Sequence, residues 1–333
     1  NYVLDAYTKQ YTTFNSEDLY NPEYENSIPG IFAEYSWEPS EKFSTILGLR
    51  ADYRDGTAVF TSPRFNIRYA PNKNNTFRIG VGRGYRFANV PEENLSIFAS
   101  SRKPEGNIED FWSRVDNSQE DSWNLGLSYV SEFKLNYRKG FFTIDYFYTH
   151  FTQKTIKDLD GGPQSIEIYT VQNGSYSSTV SAQVDYELAR RFDIRLAYKY
   201  QAVQTKYNSI GWARDPFVPS NRTMINLAYE TRSKWKFDAT WNWFDSKRIP
   251  STASNPMEFQ FATTSPNLNM VSAQITKNFK KFDVYVGGEN LLNVRQHEAI
   301  IDPQNPYGEY FDAQLIWGPI FGRNIYIGAN FKL

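Results

Sequence analysis

The chain has 333 residues and 36 Lys+Arg against 37 Asp+Glu, a formal charge of -1, so it offers neither a basic field for nucleic acid nor an acidic tail. It has no cysteine and two histidines, His150 and His297, which removes disulfides, thiolate metal centres and Cys nucleophiles and leaves too few imidazoles for a metal cluster. Aromatic residues reach 17% (25 Phe, 24 Tyr, 8 Trp) while mean hydropathy is -0.60, and the longest run without a polar side chain, Leu315 to Gly322, falls far short of the ~20 apolar residues of a spanning helix, which excludes a helical membrane protein.

The first residue is Asn1, with neither Met nor an apolar targeting segment, so the chain reads as mature or incomplete. A first strand is expected at Tyr2 to Thr13, and further strands from Ile28 onward. Phe43 to Arg54 alternates with period two: Phe43, Thr45, Leu47, Leu49, Ala51 and Tyr53 on one face, Ser44, Ile46, Gly48, Arg50, Asp52 and Arg54 on the other. The same alternation recurs in Phe65 to Tyr69, Trp123 to Tyr129, Phe142 to Tyr148, Tyr176 to Tyr186, Ile194 to Tyr200, Thr223 to Tyr229, Trp235 to Trp243 and Ile325 to Leu333. About fourteen strands are expected, most long enough to meet the ~9–11 residues of a tilted membrane-crossing strand.

Short turns are expected at Glu38 to Lys42, Pro71 to Asn75, Lys134 to Lys139, Ala189 to Arg191, Thr231 to Lys234 and Phe279 to Lys281. Between them fall longer connections: Asp55 to Ser62, Phe87 to Gln119, Ile156 to Ser165, Tyr207 to Ser220, Ile249 to Asn267 and Leu291 to Gly322. Strict alternation of short and long is what a slab-crossing barrel produces, with tight turns on one side and elaborated loops on the other. Aromatic rings gather beside the short turns (Tyr35, Trp37, Tyr69, Tyr229, Trp235), as an interfacial girdle would. The opposite face is polar and of mixed charge, suited to a wet or protein-filled lumen rather than an ion-selective pore.

Three motifs carry a family resemblance. Gly84-Tyr85-Arg86-Phe87-Ala88-Asn89-Val90-Pro91-Glu92, followed by Ala99-Ser100-Ser101-Arg102, resembles a strand-to-loop segment of TonB-dependent outer-membrane receptors. Gly288-Glu289-Asn290-Leu291-Leu292-Asn293-Val294-Arg295 is similar to their late-barrel signature, with Gln296 where an aromatic is more usual, and Trp317-Gly318-Pro319-Ile320-Phe321-Gly322-Arg323 leads into the final strand as in one branch of that family. The terminal Tyr326 to Leu333 resembles the C-terminal signal of outer-membrane proteins.

The resemblance implies an all-β transmembrane antiparallel barrel, with residues 1–333 forming the C-terminal portion of a barrel of about 22 strands. On this resemblance the plug domain and first barrel strands are expected to lie outside this sequence. It further implies an active transporter in the bacterial outer membrane for a scarce nutrient such as a ferric siderophore or cobalamin. The implied partners are outer-membrane lipid, the receptor's own plug, TonB acting through the missing N-terminal region, and a small-molecule ligand. A surface lipoprotein or other envelope protein is a further partner class. A passive porin, or a structural or secretion-associated barrel, is the competing reading.

No catalytic arrangement emerges, and no cofactor is called for. Arginine forks and flat rings in the long connections are the groups that an anionic or ring-bearing ligand would use. The candidate ligand-binding or plug-contact residues are therefore Arg83, Tyr85, Arg86, Asn89, Arg102, Trp112, Trp212 and Arg214.

Overall fold

The computed structural model describes residues 28–54, 58–88, 93–105 and 118–331. The expected first strand at Tyr2 to Thr13 lies outside them. Fifteen strands form in chain order: β1 (Gly30–Ser40), β2 (Phe43–Arg54), β3 (Ala58–Asn72), β4 (Asn75–Phe87), β5 (Lys103–Pro104), β6 (Gln119–Leu135), β7 (Arg138–Asp158), β8 (Ser165–Ala189), β9 (Phe192–Tyr207), β10 (Gly211–Arg214), β11 (Asn221–Glu230), β12 (Trp235–Phe244), β13 (Leu268–Asn278), β14 (Phe282–Glu289) and β15 (Asn324–Phe331). Short 3₁₀ turns form at Leu95–Ala99 and Met257–Phe259, and among the described residues no helix is long and apolar enough to cross a membrane.

Thirteen of these strands form one meandering antiparallel wall, β1-β2-β3-β4-β6-β7-β8-β9-β11-β12-β13-β14-β15, in which chain neighbours are sheet neighbours. The short β10 pairs with β9, and β5 adds to β8 in parallel. Among the described residues β1 and β15 each have one neighbour, so the sheet is an open part-barrel.

The expected period-two alternation is realised as ladders of like residues. On one face Leu227 lies opposite Ala239, Phe237 opposite Ile275, Ile275 opposite Val286, and Val286 opposite Ile327. On the other, Asp238 lies opposite Gln274 and Gln274 opposite Gly287, and these polar groups bond to one another. Tyr326 donates to Gln274 at 3.0 Å, Asn226 to Asp238 at 3.2 Å, and Arg195 pairs with Asp185 at 2.5 Å. The apolar face carries stacked and edge-on rings across neighbouring strands near the short turns. Tyr69, Phe77, Tyr129 and Phe142 form one such row, with centroids 6.4, 4.6 and 6.2 Å apart, and Phe192, Tyr229 and Phe237 form another.

The six short turns fall where the sequence places them. The turn between β6 and β7 needs two residues with positive φ, and Asn136 (49°) and Tyr137 (62°) supply them; this is the hairpin geometry that matches strand twist. One long connection is corrected. Asp55 to Ser62 is not an extended loop, because β3 begins at Ala58 and pairs with β2 from Arg54↔Ala58 onward. Ile156 to Ser165 also shrinks, since β7 runs to Asp158 and pairs there with Glu167.

The buried core of the protein lies at the long-loop end, not within the wall. Ala88, Ile97, Leu159, Ile166, Ile168, Ile249, Ile301 and Leu315 pack together, with Phe217, Phe259, Phe261, Tyr310 and Trp317 against them. Strands β7 and β8, 21 and 25 residues long, exceed the ~9–11 residues of a bilayer crossing about twofold, so their ends project past the slab and carry this loop core.

Candidate functional site

Of the eight residues expected to meet ligand or plug, the six that the structure describes separate into three places. Arg83, Tyr85 and Arg86 line a recess near the long-loop end of β1 to β4. Its volume is about 890 Å³, and Phe32, Arg50, Asp52, Arg64 and Phe87 complete it. The recess exists because the sheet parts there. Pairing of β3 with β4 stops at Arg64↔Gly82, although β3 continues against β2 to Ala58 and β4 against β6 to Phe87. Pro63, which has no N–H for a ladder, sits where the two strands part.

Side chains span the gap that the backbone leaves. Phe60 stacks on Tyr85 at 4.7 Å and meets Phe87 edge-on at 5.4 Å, and the Tyr85 hydroxyl donates to Asp52 at 2.7 Å. Gly48 makes room for a long neighbour: a Cβ there would lie 2.7 Å from Arg64 Nε, so this glycine lets Arg64 lie flat on the wall.

Each guanidinium of the recess is already engaged. Arg50 pairs with Asp52 at 2.7 Å, Arg64 with Glu34, and Arg83 with Asp121 through Nε bonds of 3.0 and 3.1 Å. Arg86 holds Glu93 through both terminal nitrogens, at 2.7 and 2.9 Å, and Glu120 through Nε at 2.6 Å. The recess therefore presents rings and balanced ion pairs, not surplus positive charge. Half-exposed pairs such as those of Arg64 and Arg86 exchange for other partners at little cost, which suits a surface that docks and releases another polar surface.

Arg102 is different. Its side chain is 1% exposed and that of its partner Asp312 3%, with Nε to Oδ2 at 2.8 Å. Its Nη1 also donates to the carbonyls of Leu159, Gly162 and Ser165 at 3.0, 2.8 and 3.1 Å. One fork thus ties the loop after β4 to the β7–β8 connection and to the last long loop. Burial holds the neighbouring Lys157 ammonium below the usual lysine range, with Asp312 opposing that shift and Arg102 adding to it.

Trp212 and Arg214 sit two residues apart on β10 and so share a face. Both are exposed. The Trp212 ring leans on Tyr176 at 6.0 Å, and the Arg214 carbonyl accepts from Arg248 Nε at 2.6 Å, while the Arg214 guanidinium makes no ion pair among the described residues. Asn89 and Trp112 lie outside the described residues.

Sequence reasoning missed a second polar cluster at the projecting ends of β7 to β9. Lys154 donates to Asp215 at 2.9 Å and to the hydroxyls of Ser175 and Thr205 at 3.3 Å, and Tyr207 donates to Asp215 at 3.1 Å. Arg248 grips Asp160 with two 2.8 Å bonds and lies over the Tyr207 ring at 5.4 Å. Burial raises the Tyr207 hydroxyl above the usual tyrosine range. No local spacing announces this cluster, because its members come from three strands and three connections. Among the described residues no group of three or more His, Cys, Asp or Glu converges as metal ligands would.

Comparison with known proteins places the architecture. The family described as TonB dependent receptor-like, beta-barrel, matches residues 1–291. A mutant of the ferric enterobactin receptor (PfeA) of Pseudomonas aeruginosa superposes with a TM-score of 0.63 at 17% identity, over 91% of this chain and 44% of that one. The copper transporter OprC gives 0.63 at 13% identity, over 91% and 48%. The closed form of the ferric-catecholate import receptor Fiu of E. coli K12 gives 0.62 at 13%, over 92% and 44%. At these identities the likeness is one of fold, and the chain spans under half the length of these structures. No curated protein matches it in sequence.

Proposed function

This chain belongs to the TonB-dependent receptor β-barrel family, and from that we propose that it forms the wall and part of the outer binding surface of an outer-membrane active transporter. The family match carries this reading, and the division of strands such as β12 and β13 into an apolar, ring-bearing face and a hydrogen-bonded polar face supports it. On this reading the apolar face meets lipid, the polar face surrounds a plug, and the long loops meet a scarce nutrient outside the cell. TonB supplies the pull that releases the nutrient inward, acting through the plug.

Within that reading each group has a task. The paired arginines of the recess dock the plug, because mixed and half-exposed ion pairs hold a polar surface without trapping it. Trp212 and the unengaged Arg214 are the ligand contacts, offering a ring face and a cationic fork. Arg102 keeps the loop assembly in one shape. The substrate class is a metal chelate, with ferric siderophores ahead of cobalamin because the solved relatives include receptors whose names specify ferric enterobactin and ferric catecholates.

The test is uptake by the full receptor in cells lacking their own siderophore receptors, offered iron-55 on catecholate and on hydroxamate carriers. Accumulation that needs both the receptor and TonB is the expected result. Iron entry that persists without TonB, or a steady ionic conductance of the purified receptor, would sink the transporter reading in favour of a passive pore.

A further inference from the structure

The short-turn end of the wall carries a charge that the transport reading does not use. The turn 231–234 between β11 and β12 and the turn 279–281 between β13 and β14 lie side by side. Strand β12 pairs with β13 through Trp235↔Lys277, and the Asn278 N–H donates to the Lys234 carbonyl at 3.0 Å. Together they bring Arg232, Lys277, Lys280 and Lys281 to one edge beside the rings of Trp235 and Phe279.

Lys277 lies on the apolar face, two residues from Ile275, with Phe237 and Val286 opposite that isoleucine. Its ammonium is 5.0 Å from the Trp235 centroid and 5.8 Å from that of Phe279, and it donates to the Ser233 carbonyl at 2.5 Å. The stem is thus held against rings with the charged head at turn level, the posture of a lysine at a bilayer surface. Arg232, Lys280 and Lys281 are exposed and make no ion pair among the described residues, whereas Lys234 is taken by Glu230 at 2.9 Å. The carboxylates at this end do not neutralise the patch from its own side. Glu230 lies opposite Lys236 and Asp283 opposite Asn278, positions that alternate with Phe237 and Lys277 and so belong to the other face.

An edge with apolar rings on one side and four cations at its rim fits an amphiphile with an anionic head. We infer that these two turns bind the phosphate headgroup of an anionic glycerophospholipid from the leaflet at the short-turn side. Lys277 and the Arg232 fork donate to the phosphate oxygens, Lys280 and Lys281 add field, and the acyl chains lie along Phe237, Ile275 and Val286. A zwitterionic head brings its own ammonium, which the same four cations repel, so the site selects net negative charge. This inference rests on the wall reading above, since it needs the apolar face to meet lipid.

The test uses the full receptor in vesicles of phosphatidylethanolamine and phosphatidylglycerol, with a nitroxide on the acyl chain of one or the other. The native receptor is expected to immobilise labelled phosphatidylglycerol about threefold more strongly than phosphatidylethanolamine, and to lose that preference at about 1 M salt, where screening is nearly complete. The variant Arg232→Gln/Lys277→Met/Lys280→Gln/Lys281→Gln should bind the two lipids equally, while Lys103→Gln/Lys206→Gln at the far end keeps the preference. Equal immobilisation by the native receptor, a preference that survives high salt, or one intact in the quadruple variant would overturn the lipid site and leave the wall standing. Immobilisation of neither lipid would remove the wall itself.

Discussion

Replacing Arg102 with alanine is expected to open the outer loop assembly at a cost of about 3–5 kcal/mol, the penalty for leaving one member of a buried ion pair alone. Asp312, with its side chain 3% exposed, would lose its ion-pair partner, and the carbonyls of Leu159, Gly162 and Ser165 would lose their common donor. The wall does not depend on this contact, so the effect is local. Amide hydrogen exchange on the folded receptor should accelerate about a hundredfold or more in residues 93–105, 159–166 and 301–315, with little change in β11 to β14. Arg102→Lys recovers only part of the protection, since a point charge cannot serve a carboxylate and three carbonyls at once. Unchanged exchange in these loops would mean that the fork does not hold them.

The second large effect belongs to Leu315, whose side chain is 0% exposed at the centre of the loop core among Ile166, Ile249 and Ile301. Leu315→Ala removes transfer energy and leaves a cavity, together about 2–5 kcal/mol. Because Leu315 and Arg102 hold the same loops, the two losses should combine to less than their sum once either has opened the assembly. A double-mutant cycle read by the same exchange experiment checks this. Fully additive losses would show two independently folding loop groups instead of one.

The wall was legible because its rule is local. Alternation in segments such as Phe43 to Arg54 and Trp235 to Trp243 puts alternate side chains on opposite faces, and the six short turns are punctuated by residues that stop a ladder. The thirteen wall strands therefore appear where the pattern puts them, from Ile28 onward. The error at Asp55 to Ser62 has a local cause too: Ala58 to Ser62 lacks a clear alternating pattern, yet the neighbouring strand β2 supplies partners for it.

The loop-end chemistry was not legible, because its rule is long-range. Arg102 looked like a candidate ligand contact, but its partner Asp312 is 210 residues further along the chain. Arg83 meets Asp121 across 38 residues, and Lys154 meets Asp215 across 61. No spacing rule connects such pairs; only the order of strands in the wall brings them together. Trp212 and Arg214 were readable only as members of the Tyr207 to Ser220 connection; the strand Gly211–Arg214 that puts them on one face was not, because it forms by pairing with β9.

The division of the wall into a lipid face and a lumen face is the claim on which the transport reading stands. Its most direct test is a nitroxide scan of Lys236 to Trp243 through single cysteines, clean here because the chain has no cysteine of its own. In native outer membranes, collisions with dissolved oxygen should peak at Phe237, Ala239, Trp241 and Trp243, and collisions with a water-soluble nickel chelate at Lys236, Asp238, Thr240 and Asn242. Oxygen and nickel profiles without the two-residue period, or with the faces reversed, would contradict it.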